Sequence, residues 1–205
     1  MNPFEAITCL FEPKDPGPTE AGKKWAQACR AFEKGKQHYL AEEVKGTGTA
    51  QIQLALECFD EAIGLGFEGG GIHASRGSCL QSLEFHLDAI DDFNKAISLN
   101  PQDSNLYFMR SVSKGAAGDL GGRIADLQEA LRVSEIENET NKIYHAWAQE
   151  LGYKNITAKY NYDLLHAKVA FEEHVAEEQS RKTSGGDLSP DLVNRRMAWT
   201  RRRNR

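Results

Sequence analysis

Three groups of residues in this 205-residue chain have types and spacings that could support chemistry, and the first is rich in glycine. Gly64-Leu-Gly66-Phe-Glu-Gly69 matches the Gly-x-Gly-x-x-Gly pattern of dinucleotide-binding loops. Such a loop follows a strand and ends where a helix begins, inside a βαβ unit. Here the motif ends a helical pattern in a chain without strand patterns. The context favours a helix-terminating role and no bound cofactor.

Histidines and cysteines form the second group, and their spacing supports neither metal nor nucleophile chemistry. The six histidines contain no His-x-x-x-His pair, and the four cysteines contain no Cys-x-x-Cys. Such scattered cysteines usually act as small apolar residues in a reducing compartment. No Ser, Cys or His lies in a recognisable nucleophile motif. We therefore expect no catalytic residue, no metal, no cofactor and no enzymatic activity.

Two arginines with a shared spacing form the third group. The interval from Arg76 to Asp92 equals the interval from Arg110 to Asp126. One interpretation is that the two arginines bind a ligand. The other is that each Arg–Asp pair fixes a helical hairpin, and recurs because the hairpin itself recurs. Both interpretations need a repeated element that places the pairs.

A 34-residue period supplies that element. Several apolar positions recur at this interval, among them Ala62, Ala96 and Ala130, and also Phe59, Phe93 and Leu127. Within one period the apolar spacing is that of a helix. Pro101 cannot continue a helix, and Asp103 or Ser104 can cap the next one. Each period thus predicts two antiparallel helices that must share a core with stacked neighbours.

This period resembles the tetratricopeptide repeat (TPR). The small, aromatic and proline positions of the family pattern are matched best in residues 70–103 and partly in 104–137, by Gly77, Ala89, Phe93, Ala96, Pro101, Leu127 and Ala130. The small residues are expected where helices approach closely, so that larger side chains there would cost about 1–3 kcal/mol. The resemblance implies an all-α, right-handed α-solenoid of three to four TPR-like helical hairpins with a long C-terminal capping helix.

The chain is expected to have three parts: an N-terminal segment with a Pro-rich linker (1–19), the solenoid (20–181) and a flexible basic tail (182–205). The repeats fall at about 20–69, 70–103 and 104–137, followed by a degenerate unit at 138–181. In the first unit the interval from Gly35 to Ala55 exceeds that from Gly77 to Ala89 by eight positions. This predicts an insertion near 41–50.

The resemblance also implies a binding groove on the first helices of the repeats. The residues at the matching positions are Ser75, Ser78, Asn105, Phe108, Met109 and Val112. A small, weakly apolar groove suits an extended or helical protein segment. The alternative, that Phe108 and Met109 only cover neighbouring helices, stays open.

The formal charge of −5 conceals an uneven distribution along the chain. Residues 181–205 contain 8 basic and 2 acidic residues, so residues 1–180 carry −11. The candidate contact residues of the tail are Arg195, Arg196, Trp199, Arg201, Arg202 and Arg203. Such a segment suits RNA, an anionic membrane surface or an acidic protein. A solvated tail without a partner is the alternative.

Together these patterns predict a non-catalytic adaptor or scaffold that binds a protein or peptide segment. An RNA- or membrane-associated factor that uses its tail, and a regulatory subunit of an enzyme complex, are the two alternatives. Because the first residues lack the basic start of a signal peptide, we expect a cytoplasmic location.

Overall fold

The structure, a computed structural model, describes residues 19–45, 49–136 and 139–183. Within those ranges the regular elements are eight α-helices and no strand, as the sequence predicts. They are α1 (Glu20–Lys45), α2 (Thr49–Gly64), α3 (Gly70–Ser82), α4 (His86–Leu99), α5 (Ser104–Ala116), α6 (Leu120–Ser134), α7 (Glu139–Glu150) and α8 (Ile156–Thr183). Residues 1–18 of the predicted N-terminal segment, residues 46–48 of the predicted insertion and the tail beyond residue 183 lie outside the described residues.

The helices follow the 34-residue period. Helices α3 and α5 begin at Gly70 and Ser104, and α4 and α6 begin at His86 and Leu120. The long C-terminal capping helix that the resemblance implies is α8, with 28 residues, and the first helix, α1, is also long, with 26. By its internal packing the chain divides into residues 1–167 and 168–205, and the core and sites below belong to the first unit. The described part of the second unit continues α8.

Polar side chains and left-handed residues set the helix ends. The Asp103 side chain caps α5 by accepting a hydrogen bond from the Asn105 backbone N–H at 3.0 Å. The turns inside the last three hairpins place Glu84, Gly118 and Gly152, which recur once per period, at φ values of 65°, 90° and 86°. Glycine adopts this conformation readily, whereas Glu84 is the non-glycine exception among the described residues.

Two glycines allow close contact between the helices of a hairpin. A Cβ on Gly77 would lie 3.1 Å from the Phe93 ring, and one on Gly35 would lie 2.6 Å from the Phe59 ring. Both contacts join a first helix to its second helix. The glycine-to-phenylalanine interval is longer in the first hairpin, and the excess equals the length of the predicted insertion.

The core consists of two large clusters and one small one. The first lies in α1–α3 and includes Phe32, Phe59 and Ile72. The second joins α5 and α6 to α7 and α8, with Tyr107, Val133, Tyr144, Ile156 and Tyr160 among its members. The small cluster brings Leu164 and Ala167 of α8 onto Leu127. Ala89, Phe93, Ala96 and Ala130 are fully buried, as expected of the structural positions of the repeat.

Candidate functional site

The structure forms the Arg76–Asp92 pair across the α3–α4 hairpin. Arg76 donates from Nε to Asp92 Oδ2 and from a terminal nitrogen to Oδ1, both at 2.7 Å. Its other terminal nitrogen donates to Asp60 Oδ1 on α2 at 2.7 Å. Arg76 therefore connects both helices of its own hairpin to the second helix of the preceding one. His73 Nδ1 lies 3.2 Å from Asp92 Oδ1 and adds a further partner.

The Arg110–Asp126 pair repeats this geometry one period later. Arg110 donates to Asp126 from Nε at 2.8 Å and from a terminal nitrogen at 2.7 Å, and to Asn94 Oδ1 at 2.6 Å. Lys114 Nζ lies 2.9 Å from Asp126 Oδ2. The pairs therefore join elements of the fold, and this geometry favours the structural interpretation over ligand binding. Sequence reasoning missed Asp60 and Asn94, although each precedes its arginine by the interval that separates the arginine from its aspartate.

Burial and hydrogen bonding oppose each other at Asp92. Burial favours the neutral carboxyl, but hydrogen bonds from His73 and Arg76 lower the pKa of Asp92 below its ordinary value. The hydrogen bond to Asp92 in turn raises the pKa of the Arg76 guanidinium. The pair is therefore ionised at neutral pH, and Arg76 has its donors directed at protein carboxylates.

Three predicted groove residues are buried. Ser75, Ser78 and Asn105 are 0%, 5% and 3% exposed. The two serine hydroxyls donate to carbonyls of their own helix, Ser75 to Gly71 at 2.8 Å and Ser78 to Ala74 at 3.0 Å. A bound segment therefore does not reach these side chains in this conformation.

Phe108 is engaged by the chain itself. Its ring stacks on Tyr160 of α8 at a centroid distance of 5.3 Å, and the Lys159 ammonium lies 4.1 Å from its centroid. Met109 is half-buried and Val112 is 40% exposed on the same helix. Phe108 and Met109 are both half-buried, but Phe108 packs against Tyr160 and Lys159, so we take Met109 and Val112 as the apolar surface that a partner can contact.

The Met109–Val112 strip, meaning these two side chains of α5, is anchored to the neighbouring hairpin. The Gln81 side-chain amide of α3 donates to the Met109 carbonyl at 2.9 Å and to Ser113 Oγ at 2.7 Å. Because these bonds cross from one hairpin to the next, they fix the position of α5 relative to α3. The strip is therefore held in place before any ligand binds.

A second polar cluster, which the sequence did not predict, surrounds Asp103. Its carboxylate is 1% exposed and accepts from the Tyr144 hydroxyl at 3.3 Å in addition to its capping bond. Ser104 Oγ donates to Asn141 Oδ1 at 2.8 Å and lies 3.5 Å from the Tyr160 hydroxyl. Burial raises the pKa of Asp103 to about 6, because its hydrogen bonds from neutral groups offset only part of the desolvation.

The remaining residues that the sequence singled out for possible chemistry are the cysteines, the metal-ligating types and the glycine-rich motif. Burial raises the pKa values of the Cys58 and Cys79 thiols, which disfavours the thiolate that a nucleophile needs. The described residues contain no group of three side chains suited to hold a metal ion. The glycine-rich motif lies where α2 ends and α3 begins, with Gly66 at φ 87°. Its helix-terminating role is thereby confirmed.

The tail residues from Arg195 to Arg203 lie outside the described residues, so their role stays a prediction. Among the helices that the structure describes, none is both long and apolar enough to span a membrane.

Comparisons with known proteins identify the fold. No family model matches the chain, and no curated protein matches it. Among solved structures it is similar to PcrH in complex with the chaperone-binding region of PopD (TM-score 0.56, 14% identity, 75% of this chain and 96% of that chain). It is also similar to the Sgt2 TPR domain from Aspergillus fumigatus (TM-score 0.52, 13% identity, 80% of this chain and 88% of that chain). The chain therefore has the all-α fold of TPR domains.

Proposed function

We propose that this protein is a non-catalytic interaction module that binds an extended or helical protein segment along its first helices. The observation that carries the proposal is the Met109–Val112 strip, where Val112 is 40% exposed next to a half-buried Met109. The two residues are three positions apart and therefore lie on one face of α5. An apolar strip of this kind suits side chains of a bound segment.

Rigidity and satisfied polar groups support this choice of surface. The Gln81 hydrogen bonds fix α5 against α3, which reduces the ordering that binding would require. Ser75 and Ser78 already donate to their own helix, so a ligand does not need to satisfy them. PcrH, which has the same fold, was solved with a segment of PopD, and this precedent is compatible with segment binding here.

The same surface offers little for catalysis, which is why we propose binding alone. Its exposed part is apolar, and the two repeat arginines, Arg76 and Arg110, are hydrogen-bonded to Asp92 and Asp126. An enzyme would need an ionisable group with a free lone pair or proton at this surface.

Selection of peptides from a displayed library against the full chain tests the proposal. Selected peptides are then titrated calorimetrically against the wild-type chain, Val112→Glu and Leu54→Glu. Leu54 is a matched control, since it is also 40% exposed but lies on the second helix α2. We expect Val112→Glu to weaken binding at least tenfold and Leu54→Glu to leave it unchanged. Equal affinity of the wild-type chain and Val112→Glu would contradict the proposal.

The charge split of the sequence favours a second candidate, in which the tail binds RNA, an anionic membrane or an acidic protein. Such binding weakens steeply with salt, because it releases counterions. Titration of a labelled RNA and of anionic vesicles at two salt concentrations, with the full chain and with one ending at residue 183, tests it. Binding that is independent of residues 184–205 would exclude the tail as the binding element.

A further inference from the structure

A cavity of about 340 Å³ lies between α2, α3 and α4, away from the Met109–Val112 strip. Two leucines, Leu56 and Leu80, form its apolar part. The remaining lining residues are Arg76 with its partners Asp60 and Asp92, two further aspartates of α4 (Asp88 and Asp91) and Lys95. We call Arg76, Asp60 and Asp92 the first junction. Four carboxylates thus face one arginine and one lysine, so the lining carries an excess of negative charge.

Two of the four carboxylates are already used by the fold. Asp60 and Asp92 are bound by Arg76 at 2.7 Å. Asp88 and Asp91 are exposed, and among the described residues neither has a hydrogen bond or an ion pair. The free negative charge of the cavity therefore comes from α4.

The second junction, meaning Arg110 with its partners Asn94 and Asp126, shows which residues stand at the corresponding positions one period later. Lys114 stands one period after Leu80, and its ammonium lies 2.9 Å from Asp126, the counterpart of Asp92. Gly122 and Ala125 stand at the positions of Asp88 and Asp91. The second junction thus contains its own lysine and lacks the two extra carboxylates. The first junction has the two carboxylates and carries Leu80 in place of that lysine, while its own Lys95 stands where the second junction has Glu129.

We propose that the cavity binds a lysine or arginine side chain of a partner protein. The aliphatic stem of that side chain packs on Leu56 and Leu80, while its cationic head group lies at Asp88 and Asp91. Long basic side chains bind in this way because their methylene stems are apolar and their head groups form charge-assisted hydrogen bonds. This site goes beyond the function proposed above, since it is formed mainly by second helices and is separate from the strip on α5.

A blocked pentapeptide, Gly-Gly-Lys-Gly-Gly, serves as the probe, and the full chain is titrated with it while backbone amide resonances are followed. The same peptide with norleucine in place of lysine keeps the stem but lacks the charge. We expect saturable shifts at α4 and at Leu80 with a millimolar dissociation constant for the lysine peptide. The norleucine peptide should bind at least fivefold more weakly.

Two variants locate the binding to this cavity. The double variant Asp88→Asn/Asp91→Asn should weaken binding of the lysine peptide about tenfold. Glu172→Gln/Glu173→Gln on α8 is the matched control, because it removes the same charge from exposed positions and should not change binding. Leu80→Lys introduces the residue that the second junction has at this position, so its side chain should fill the apolar part of the cavity, reach Asp92 and abolish binding.

The expected dissociation constant is about 1 mM. The proposal is overturned if no saturable shifts occur up to a lysine-peptide concentration about 50-fold above that value, or if the norleucine peptide binds equally well. It is also overturned if the two double variants lose affinity equally, since that would indicate a general charge effect. Amide spectra of Leu80→Lys that retain the wild-type dispersion show that the fold is kept. Undiminished binding by that folded variant places the lysine elsewhere.

Discussion

Asp92 and Asp103 are both buried aspartates, yet their surroundings move their pKa values in opposite directions. They are 2% and 1% exposed. Asp92 receives a bidentate hydrogen bond from Arg76 and a contact from His73, and its pKa is lowered. Asp103 receives hydrogen bonds from the Asn105 backbone and the Tyr144 hydroxyl, and its pKa is raised to about 6.

The difference shows that burial alone does not determine the charge of a carboxyl group. A cation at hydrogen-bonding distance outweighs the desolvation of Asp92, whereas neutral donors do not outweigh that of Asp103. The cation comes from the regular repeat, in which an arginine recurs one period later. The neutral donor Tyr144 comes from α7, in the degenerate unit, and it occupies the position one period after Arg110. At this position of the repeat a phenol stands in place of an arginine, and it contacts Asp103, 41 residues earlier, instead of an aspartate 16 residues later.

The largest expected effect on stability is that of removing Arg76, the cation that is hydrogen-bonded to Asp92. We expect Arg76→Ala to lower the free energy of unfolding by about 3–5 kcal/mol, because it leaves Asp92 buried without its bidentate partner. Arg110→Ala is the matched control, and it should cost less because Lys114 remains 2.9 Å from Asp126. Urea denaturation at pH 7 measures both. Equal losses in the two variants would show that the additional cation has no influence on the junction.

A pH series separates the two aspartates by the sign of their contributions. Because the folded pKa of Asp103 is about 6 and that of an unfolded aspartate is about 3.9, the folded state binds more protons between these values. The contribution of protonated Asp103 to the stability of the folded state is therefore present below pH 4 and is lost as the pH rises through 6. Relative to Asp103→Asn, the wild-type chain should therefore lose about 2–3 kcal/mol of unfolding free energy between pH 4 and 7.

Asp92→Asn provides the contrast in the same series. The lowered pKa of Asp92 makes its contribution present above the ordinary aspartate value, and lost as the pH falls toward the lower folded value. The difference between the wild-type chain and Asp92→Asn should thus diminish on acidification below pH 4. If the stability difference between the wild-type chain and each asparagine variant changed with pH in the same direction for both variants, the assignment of opposite pKa shifts would be wrong.

The neutral donor of Asp103 is the next contact to remove. Tyr144→Phe deletes the hydroxyl that lies 3.3 Å from Asp103 Oδ2, and burial keeps that phenol protonated by raising its pKa. We expect a loss of about 1.5 kcal/mol at pH 7, where the acceptor is ionised, and a smaller loss at pH 4. Guanidinium denaturation at both pH values checks this, and a loss that does not depend on pH would contradict it.

The 34-residue period made much of the regular part predictable from the sequence. It placed Arg76 with Asp92 and Arg110 with Asp126, and the structure forms both pairs. It also predicted the extra length of the first hairpin, visible in the contacts of Gly35 and Gly77. These features are local to neighbouring helices, so a register deduced from one copy transfers to the next.

The contacts of the degenerate unit were not predictable in this way. Tyr144 reaches Asp103 from 41 residues away, and Tyr160 reaches Ser104 from 56 residues away. Neither interval is a multiple of the period, because each depends on how α7 and α8 pack. The same packing places Tyr160 on Phe108, for which the sequence left open both a groove contact and a cover on neighbouring helices.

The smallest expected effect concerns the additional cation of the second junction. Lys114→Leu gives this junction the residue that the first junction has at Leu80. Since Arg110 keeps both of its hydrogen bonds to Asp126, we expect a loss of only about 1 kcal/mol in urea denaturation. In this variant, a further Arg110→Ala substitution should then cost about as much as Arg76→Ala does in the wild-type chain. A double-mutant cycle over Lys114 and Arg110 measures that coupling. A coupling energy of zero would mean that Lys114 does not reduce the cost of losing Arg110. The different costs of losing the arginine partner of Asp92 and that of Asp126 would then have another cause.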